Sequence, residues 1–219
     1  MSTGRRPRIA AIIPVGGLEG AKSRLGESLD AEERRDLVDG FLARTVLAAL
    51  AVDLLEDVLV VSPDLDVLHR AAELGSRTLR QRSDGLNAGL DEARADVVAG
   101  GAEAILILPI DLPFVTGTAV CAVIEPLATP GSGSGPTTTG PMTVLVTDRH
   151  GTGTNALALR PPDVIDFAFG PGSRHAHRLA SSAAGAAYIE VEGPLNIDLD
   201  TPDDLVYVES IAPEGVRAG

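Results

Sequence analysis

Apolar residues along the first 128 positions alternate between short continuous runs and a helical spacing. The continuous runs lie at Arg8–Val15, Asp57–Val61 and Ala104–Leu108, and they predict strands that are covered on both faces. A weaker strand is expected at Ser76–Leu79. Between the runs, apolar residues recur every three or four positions, which predicts helices beginning near residues 30, 64, 86 and 116. This alternation predicts a doubly wound, mostly parallel α/β sheet.

Beyond residue 128 the pattern changes, and predicted strands outnumber helices. Residues 129–141 are rich in Gly, Ser, Thr and Pro, a composition typical of a mobile loop. Helices are expected to begin near Ser173 and at Thr201-Pro202. The fold class is therefore α/β with a mixed extension of the sheet, and residues 1–219 fit a single domain. The strands of the extension are predicted at Met142–Thr147, Ala156–Arg160, Tyr188–Val191 and Asn196–Asp200.

Composition narrows the classes of function. The chain carries 31 Asp and Glu against 18 Lys and Arg, a net charge of −13, and Lys22 is its only lysine. This charge balance suits neither sequence-independent nucleic-acid binding nor an electrostatic membrane anchor. The single cysteine, Cys121, excludes an internal disulfide and a cysteine-based zinc site. Because neither a membrane-spanning apolar stretch nor a signal peptide is recognisable, the protein is expected to be cytoplasmic.

The first glycine-rich segment follows the first predicted strand. In open α/β sheets, ligands bind beyond the carboxyl ends of the strands, and Gly16, Gly17, Lys22 and Arg24 occupy that position. Small residues allow backbone N–H groups to approach phosphates, and the two cations can pair with them. The spacing matches neither a Walker A loop nor a dinucleotide fingerprint. The segment predicts a nucleotide-phosphate loop, and a plain strand-to-helix turn is the alternative.

Three carboxylates are predicted at the same edge of the sheet. Asp111 follows the central apolar strand, and Asp198 and Asp200 share one face of the last predicted strand. Carboxylates in such positions are costly unless they meet a cation. Hard oxygen ligands suit Mg²⁺, so we predict a Mg²⁺ site at Asp111 and Asp198, with Asp200 as a further ligand or their neighbour. In the alternative, Asp111 caps a turn, Asp200 belongs to the following cap and turn, and Asp198 has a structural role.

Two further glycine-containing segments indicate a site for a second anion. Gly151–Thr154 offers backbone N–H groups and hydroxyls, and Phe169–Ser173 leads into a predicted helix. With Ser173 as the expected cap, and with Arg and His in its first turn (Arg174 to Arg178), this helix favours anions through its dipole and its charge. A solvated helix face is the alternative for each of the histidines alone.

Taken together, these segments resemble the guanylyltransferases of deazaflavin coenzyme (coenzyme F-420) biosynthesis, which act on 2-phospho-L-lactate or phosphoenolpyruvate. The resemblance covers nearly the whole chain and keeps the family's order of segments. The matching segments are Ile13-Pro14-Val15, Ala21-Lys22-Ser23-Arg24-Leu25, Gly85-Leu86-Asn87-Ala88, Asp111-Leu112-Pro113, Asp148-Arg149-x-Gly151-Thr152-Gly153-Thr154-Asn155, Phe169-Gly170-Pro171-x-Ser173-x-x-x-His177 and Asp198-x-Asp200-Thr201-Pro202-x-Asp204-Leu205.

The resemblance implies a nucleotidyltransferase fold of the nucleotide-diphospho-sugar transferase type. It implies that residues 8–128 bind GTP and that residues 142–210 bind a small phosphorylated acid. It assigns this acid to Thr154, Gly170 and Ser173, to which we add His177. The carboxylates of the implied metal site are those of Asp111 and Asp198.

The implied nucleotide site lies in the first half of the chain. Lys22, Arg24 and Asp111 are expected to be catalytic, and Asn87 is expected to face the nucleotide. Many family members carry a lysine where this chain has Gly16. Lys22 and Arg24 would therefore supply the positive charge of the phosphate loop.

The hypothesis at this point is guanylyl transfer from GTP to the phosphate of phosphoenolpyruvate or 2-phospho-L-lactate, with release of pyrophosphate. The alternatives are a sugar-phosphate or molybdenum-cofactor-type nucleotidyltransferase, a glycosyltransferase of similar fold, and a non-catalytic nucleotide-binding protein. The residues do not choose between the acids or between one and two metal ions. They also leave the oligomeric state open, with a homodimer as one alternative.

Overall fold

The computed structural model describes residues 5–16, 31–128, 140–199 and 202–211. They form an α/β fold around a seven-stranded sheet with the strand order β3-β2-β1-β4-β6-β5-β7, which confirms the predicted fold class. The strands are β1 (Ile9–Pro14), β2 (Leu55–Ser62), β3 (Arg77–Arg80), β4 (Ala104–Ile107), β5 (Met142–Thr147), β6 (Thr154–Arg160) and β7 (Ala187–Glu190). The helices are α1 (Ala31–Leu50), α2 (Leu65–Glu73), α3 (Leu86–Ala99), α4 (Gly117–Ala128), α5 (Ser173–Ala183) and α6 (Pro202–Ile211), with a 3₁₀ helix at Pro194–Asn196.

The strand order creates a switch point between β1 and β4. From β1 the chain crosses to β2 and then β3 on one side, and it returns to place β4 on the other side of β1, all in parallel. Such a reversal leaves a crevice beyond the carboxyl ends of the two central strands, where ligands of open α/β sheets bind. Gly16 and Asp111 follow these two strands.

The mixed part of the sheet brings a third segment to this edge. Strand β6 pairs antiparallel with β4, and Ile107 lies opposite Leu157. Because the two strands run in opposite directions, the start of β6 at Thr154 lies beside the carboxyl end of β4. Strand β5 pairs antiparallel with β6 and parallel with β7, which completes the predicted mixed extension.

The central strands alternate their side chains between two apolar layers. Ile9, Ala11 and Ile13 of β1 face one layer, which is covered by α1, α2 and α4. Ala10 and Ile12 face the other layer, which includes residues of α3 and of the segment after β6. Both faces of β1 are buried, which explains why this strand reads as a continuous apolar run in the sequence.

The prediction of a strand over Asn196–Asp200 is wrong for its described part. Residues 194–196 form a 3₁₀ turn that Pro194 begins, and residues 197–199 continue without sheet pairing. Pro194 lacks a backbone N–H and fixes its own φ angle, so it suits the start of a helical turn. The remaining part of that prediction, at Asp200, lies outside the described residues, as does most of the loop predicted at residues 129–141.

Within the described part of the chain, no helix is long and apolar enough to cross a membrane. This finding agrees with the sequence, which contains no apolar stretch of membrane-spanning length.

Candidate active site

A cleft of about 390 Å³ opens at the edge of the sheet where β4 ends and β6 begins. Its lining combines carboxylates, hydroxyls and glycines from four separate segments of the chain. The lining residues include Asp111, Asp148, Thr152, Gly153, Thr154, Phe169, Gly170, Ser173 and Asp198. The tertiary structure therefore brings together Asp111, Asp198, Thr154, Gly170 and Ser173, five of the predicted site residues.

A backbone hydrogen bond holds the segments of Asp111 and Asp198, hereafter the carboxylate pair, side by side. The N–H of Leu199 donates to the carbonyl of Asp111 at 3.0 Å, so the two segments run side by side. The buried amide of Asn155 adds a tether, because its Nδ2 donates to the carbonyl of Leu195 at 3.0 Å. Both carboxylates are half-buried and line the cleft.

The donor chemistry of the carboxylate pair fits a hard divalent cation, which prefers carboxylate oxygens. The described residues alone contain no cluster of three or more acidic, histidine or cysteine side chains that could hold a metal ion. The third predicted carboxylate, Asp200, lies outside the described residues. Two of the three predicted metal ligands thus share a cleft, and the third stays a prediction.

The first glycine loop, residues 148–153, is folded around the carboxylate of Asp148. The backbone N–H of Thr152 donates to Oδ1 at 2.8 Å, and the N–H of Gly153 donates to Oδ2 at 2.9 Å. The hydroxyl of Thr152 lies 3.1 Å from Oδ2. The N–H groups that were expected to bind an anion are therefore already used inside the loop, which leaves Thr154 as the donor next to it.

The contacts of Asp148 require a glycine at residue 153, and they stabilise the charged form of the carboxylate. A Cβ added at Gly153 would lie 2.8 Å from Oδ2 of Asp148, a distance that real Cβ atoms do not show. Burial raises the pKa of Asp148, but the hydrogen bonds from Thr152 and Gly153 outweigh it and lower that pKa below its usual value. Asp148 is therefore ionised at neutral pH and fixes the loop that leads into β6.

The second glycine loop, residues 165–172, is pinned to helix α3. Asn87 makes a two-way contact with the backbone of Phe169: its Nδ2 donates to the carbonyl at 3.1 Å, and its Oδ1 accepts the N–H at 2.9 Å. Arg94 donates to the carbonyl of Ile165 at 3.1 Å and stacks on the ring of Phe167, 4.6 Å from the centroid. Asn87, which was predicted to face the nucleotide, thus joins the first half of the chain to the loop that carries Gly170.

His177 lies beneath the cleft and is fully buried. Its Nδ1 lies 3.1 Å from Oγ1 of Thr154, and its Nε2 accepts the backbone N–H of Ala168 at 3.0 Å. The ring of Phe169 packs edge-on against it, with the centroids 5.2 Å apart. Burial lowers the pKa of His177 to about 4. The structure therefore places this residue behind the predicted acid-binding residues, in contact with Thr154.

The start of helix α5 differs from the prediction in two respects. Gly172, with a φ of +74°, is the cap residue, and Ser173 is the first helical residue. The side chain of Arg174 turns away from the cleft, since it forms two contacts of 2.9 Å with Glu190 and one of 3.0 Å with the carbonyl of Gly151. The contacts with Arg174 lower the pKa of Glu190.

The predicted cluster of arginines and histidines in α5 is thus split by the helix. Arg174, His175 and Arg178 line a separate hollow of about 310 Å³, whereas His177 points into the core. Residues one or two positions apart on a helix do not share a face, so His177 projects away from its neighbours His175 and Arg178, and the contiguous basic stretch does not form one site.

Three residues of the predicted nucleotide loop, Gly17, Lys22 and Arg24, lie outside the described residues. Gly16 is described, and it is exposed directly after β1. The backbone N–H of the preceding Val15 donates to the carbonyl of Val61 at 2.9 Å, so the chain still follows β2 at this point. The phosphate-loop assignments of these four residues stay predictions.

Asp148 and Asn155 position the site through their hydrogen bonds, and neither was predicted to do so, although both belong to the glycine-rich motif at residues 148–155. Asp side chains in turns often accept hydrogen bonds from nearby backbone N–H groups, and Asp148 opens the glycine-rich turn that contains Thr152. An Asp at the start of a glycine-rich turn is therefore the signal that could have identified Asp148. Asn155 has no comparable local signal, because its partner, Leu195, is 40 residues away.

Comparison with known proteins identifies the family of this chain. The family model described as "Guanylyl transferase CofC like" matches residues 9–211. The chain belongs to this family. It is therefore a nucleotidyltransferase, and it has curated relatives at high coverage. A phosphoenolpyruvate guanylyltransferase from Rubrobacter xylanophilus is 42% identical over 203 residues, 92% of this chain and 94% of the relative. One from Sphaerobacter thermophilus is 40% identical over 210 residues, 95% of this chain and 96% of the relative.

Solved structures show the same fold at low sequence identity. A Desulfovibrio desulfuricans protein described as a nucleotide-diphospho-sugar transferase superposes with a TM-score of 0.72 at 16% identity, covering 96% of this chain and 90% of its own. Glucosyl-3-phosphoglycerate synthase from Mycobacterium tuberculosis, solved with Mg²⁺ and uridine diphosphate, gives a TM-score of 0.56 at 15% identity. The superposition covers 84% of this chain and 69% of the synthase. The family thus shares its fold with other enzymes of nucleotide chemistry.

Proposed function

We propose that this protein transfers the guanylyl group of GTP to the phosphate of phosphoenolpyruvate, or of 2-phospho-L-lactate, in coenzyme F-420 biosynthesis. The observation that carries this proposal is the composition of one cleft. The carboxylate pair lies in the same cleft as Thr154, Gly170 and Ser173, which supports a proposed metal site and a proposed anion site that face a shared space. The names of the relatives favour phosphoenolpyruvate as the acid.

The acid-binding role rests on short polar groups at the start of α5 and β6. Thr154 and Ser173 each carry a hydroxyl, and Gly170, with a φ of +131°, leaves the backbone open to close approach by a ligand. The positive end of the dipole of α5 lies at the same place and favours the negative charges of a phosphate and a carboxylate.

Asp111 and Asp198 would hold Mg²⁺, with Asp200 as their predicted neighbour, and a bound Mg²⁺ would neutralise phosphate charge and orient the reacting groups. Lys22 and Arg24 are proposed to bind the triphosphate of GTP next to Gly16 and Gly17, by pairing with its oxygens.

The transfer itself requires little proton chemistry. The phosphate oxygen of the acid attacks the α-phosphorus of GTP, a new P–O bond forms, and pyrophosphate leaves. A phosphate monoester is already ionised at neutral pH, so the reaction needs no general base to activate it, and positioning and charge neutralisation carry the rate. The neutral state of His177 agrees with this scheme, since the ring is not placed to accept a proton from the acid.

A substrate screen tests this proposal. The purified protein is incubated with GTP and Mg²⁺ and, in turn, with phosphoenolpyruvate, 2-phospho-L-lactate, 3-phosphoglycerate and glucose 1-phosphate. We expect pyrophosphate release and a guanosine diphosphate-linked acid, detected by mass spectrometry, with one of the first two acids.

The other outcomes of the screen contradict the proposal in distinguishable ways. Product with the sugar phosphate alone would assign the protein to sugar-phosphate nucleotidyl transfer. If GTP binds but none of the acids leads to pyrophosphate release, the protein would be a non-catalytic nucleotide-binding protein.

A further inference from the structure

The proton on the His177 ring can be placed from the two contacts of that ring. The backbone N–H of Ala168 can act only as a donor, so Nε2 of His177 must accept it and carries no proton of its own. A neutral imidazole then carries its proton on Nδ1. The partner of Nδ1 is Oγ1 of Thr154, at 3.1 Å, which must therefore accept this hydrogen bond.

The state of His177 in turn decides what the Thr154 hydroxyl can do. An oxygen that accepts from the ring still carries its own hydrogen, and this hydrogen has to point to another partner. Thr154 lines the cleft, and the neighbouring N–H groups of Thr152 and Gly153 already donate to Asp148. The hydroxyl of Thr154 is thus a donor next to a loop whose own donors are occupied.

We propose that His177 is a positioning residue, which makes the Thr154 hydroxyl a hydrogen-bond donor to the anionic group of the acid substrate. This rests on the proposed function for the identity of the anion, whereas the orientation of the hydroxyl follows from the contacts of the ring. The same ring accepts from Ala168, two residues before Gly170. One buried side chain thereby sets the position of the second glycine loop and the polarity of the hydroxyl beside it.

Two substitutions separate the two contacts of the ring. The amide of asparagine reaches the position of Nδ1, and the longer amide of glutamine reaches that of Nε2. His177→Asn can therefore keep the donor to Thr154, whereas His177→Gln can keep the acceptor for Ala168 and loses the donor. We expect His177→Gln to raise the KM for phosphoenolpyruvate about tenfold, the effect of one hydrogen bond to a charged group. The KM for GTP and the kcat should stay close to wild type, and His177→Asn should raise the acid KM less.

Substitutions of Thr154 provide the matched control. Thr154→Val removes the hydroxyl and should raise the acid KM by a similar factor, whereas Thr154→Ser keeps the hydroxyl and should stay near wild type. If His177 acts through this hydroxyl, His177→Gln adds nothing further in the Thr154→Val background. An equal additional rise in that background, or a larger effect of His177→Asn than of His177→Gln, would overturn the proposal.

The tautomer can be measured without any reaction. In ¹⁵N-labelled wild-type protein at about pH 7, the long-range ¹H–¹⁵N spectrum of His177 should show a neutral ring with its proton on Nδ1. A proton on Nε2, or a doubly protonated ring, would refute the assignment even if every variant failed to fold. Conversely, a wild-type protein inactive with all the acids would refute the proposed function, and the spectrum would still decide the state of His177.

Discussion

The carboxylate pair and the two glycine loops line the same cleft, but different kinds of contact hold them in place. Asp111 follows a central strand, and its backbone carbonyl accepts a hydrogen bond from Leu199, the residue after Asp198. The glycine loops depend on the side chains of Asp148, Asn87 and His177 for their shape. Substitutions of Asp148, Asn87 or His177 should therefore disturb the glycine loops more than the carboxylate pair.

The largest expected effect comes from the carboxylate pair itself. Asp111→Asn removes a charge from the proposed metal site and should lower the rate of pyrophosphate release about 10³-fold or more, the scale of losing a charge-stabilising group. Stability should change by less than about 1 kcal/mol, since the backbone contact with Leu199 remains. The exposed residue Asp53 lies far along the chain, and Asp53→Asn is the charge-matched control. Retained activity in Asp111→Asn would contradict the metal assignment.

The next effect concerns the anchor of the second glycine loop. Asn87→Ala removes both hydrogen bonds to the backbone of Phe169 and should raise the KM for the acid about 10- to 100-fold, with a stability loss of about 1–3 kcal/mol. Steady-state kinetics with each substrate varied in turn distinguishes a role of Asn87 in anchoring the loop from a direct contact of Asn87 with the nucleotide. An effect mainly on the KM for GTP would favour the direct nucleotide contact predicted from the sequence. Val98→Ala, at an exposed position of the same helix, is the control.

A smaller effect links His177 to the pH dependence of stability. Burial lowers the pKa of His177 to about 4, below the usual value of 6.5, so the unfolded chain binds more protons than the folded protein between these two pH values. The contribution of neutral His177 to the free energy of unfolding is therefore fully present above about pH 6.5. It is lost as the pH falls towards 4, and the loss is about 3 kcal/mol at most. Urea unfolding of wild type and His177→Asn at about pH 7 and pH 4.5 measures it. If the free energy of unfolding fell equally in the two proteins between these pH values, His177 would not contribute to the pH dependence of stability.

The smallest effect is expected on the outer face of α5. Glu190→Gln weakens the ion pair with Arg174, which is partly exposed, so the free energy of unfolding should change by less than about 1 kcal/mol. The KM for the acid should stay within about twofold of wild type, because Arg174 turns away from the cleft. A tenfold rise in the acid KM would show that the basic side chains of α5 do contribute to the anion site.

Much of the fold was predictable because its signals are local. The apolar runs of β1, β2 and β4 each identify a strand that is buried on both faces. The place of Asp111 at the sheet edge followed from its position after β4, and the structure has it lining the cleft there. The strand predicted at Asn196–Asp200 failed because alternating polar residues resemble a strand, whereas Pro194 starts a 3₁₀ turn there. The polar and apolar pattern of a segment does not reveal whether a neighbouring strand is available to pair with it.

The sequence by itself determined which residues are available at the sheet edge: the carboxylates, the hydroxyls and the glycines, in the order that the family shares. Only the tertiary structure decided what each of them does there. Asn87 and Phe169 are 82 residues apart, and His177 is 23 residues from Thr154, so no local pattern encodes either contact. Burial and hydrogen-bond partners decide whether a polar side chain binds a ligand or positions one that does, and both are properties of the packed chain.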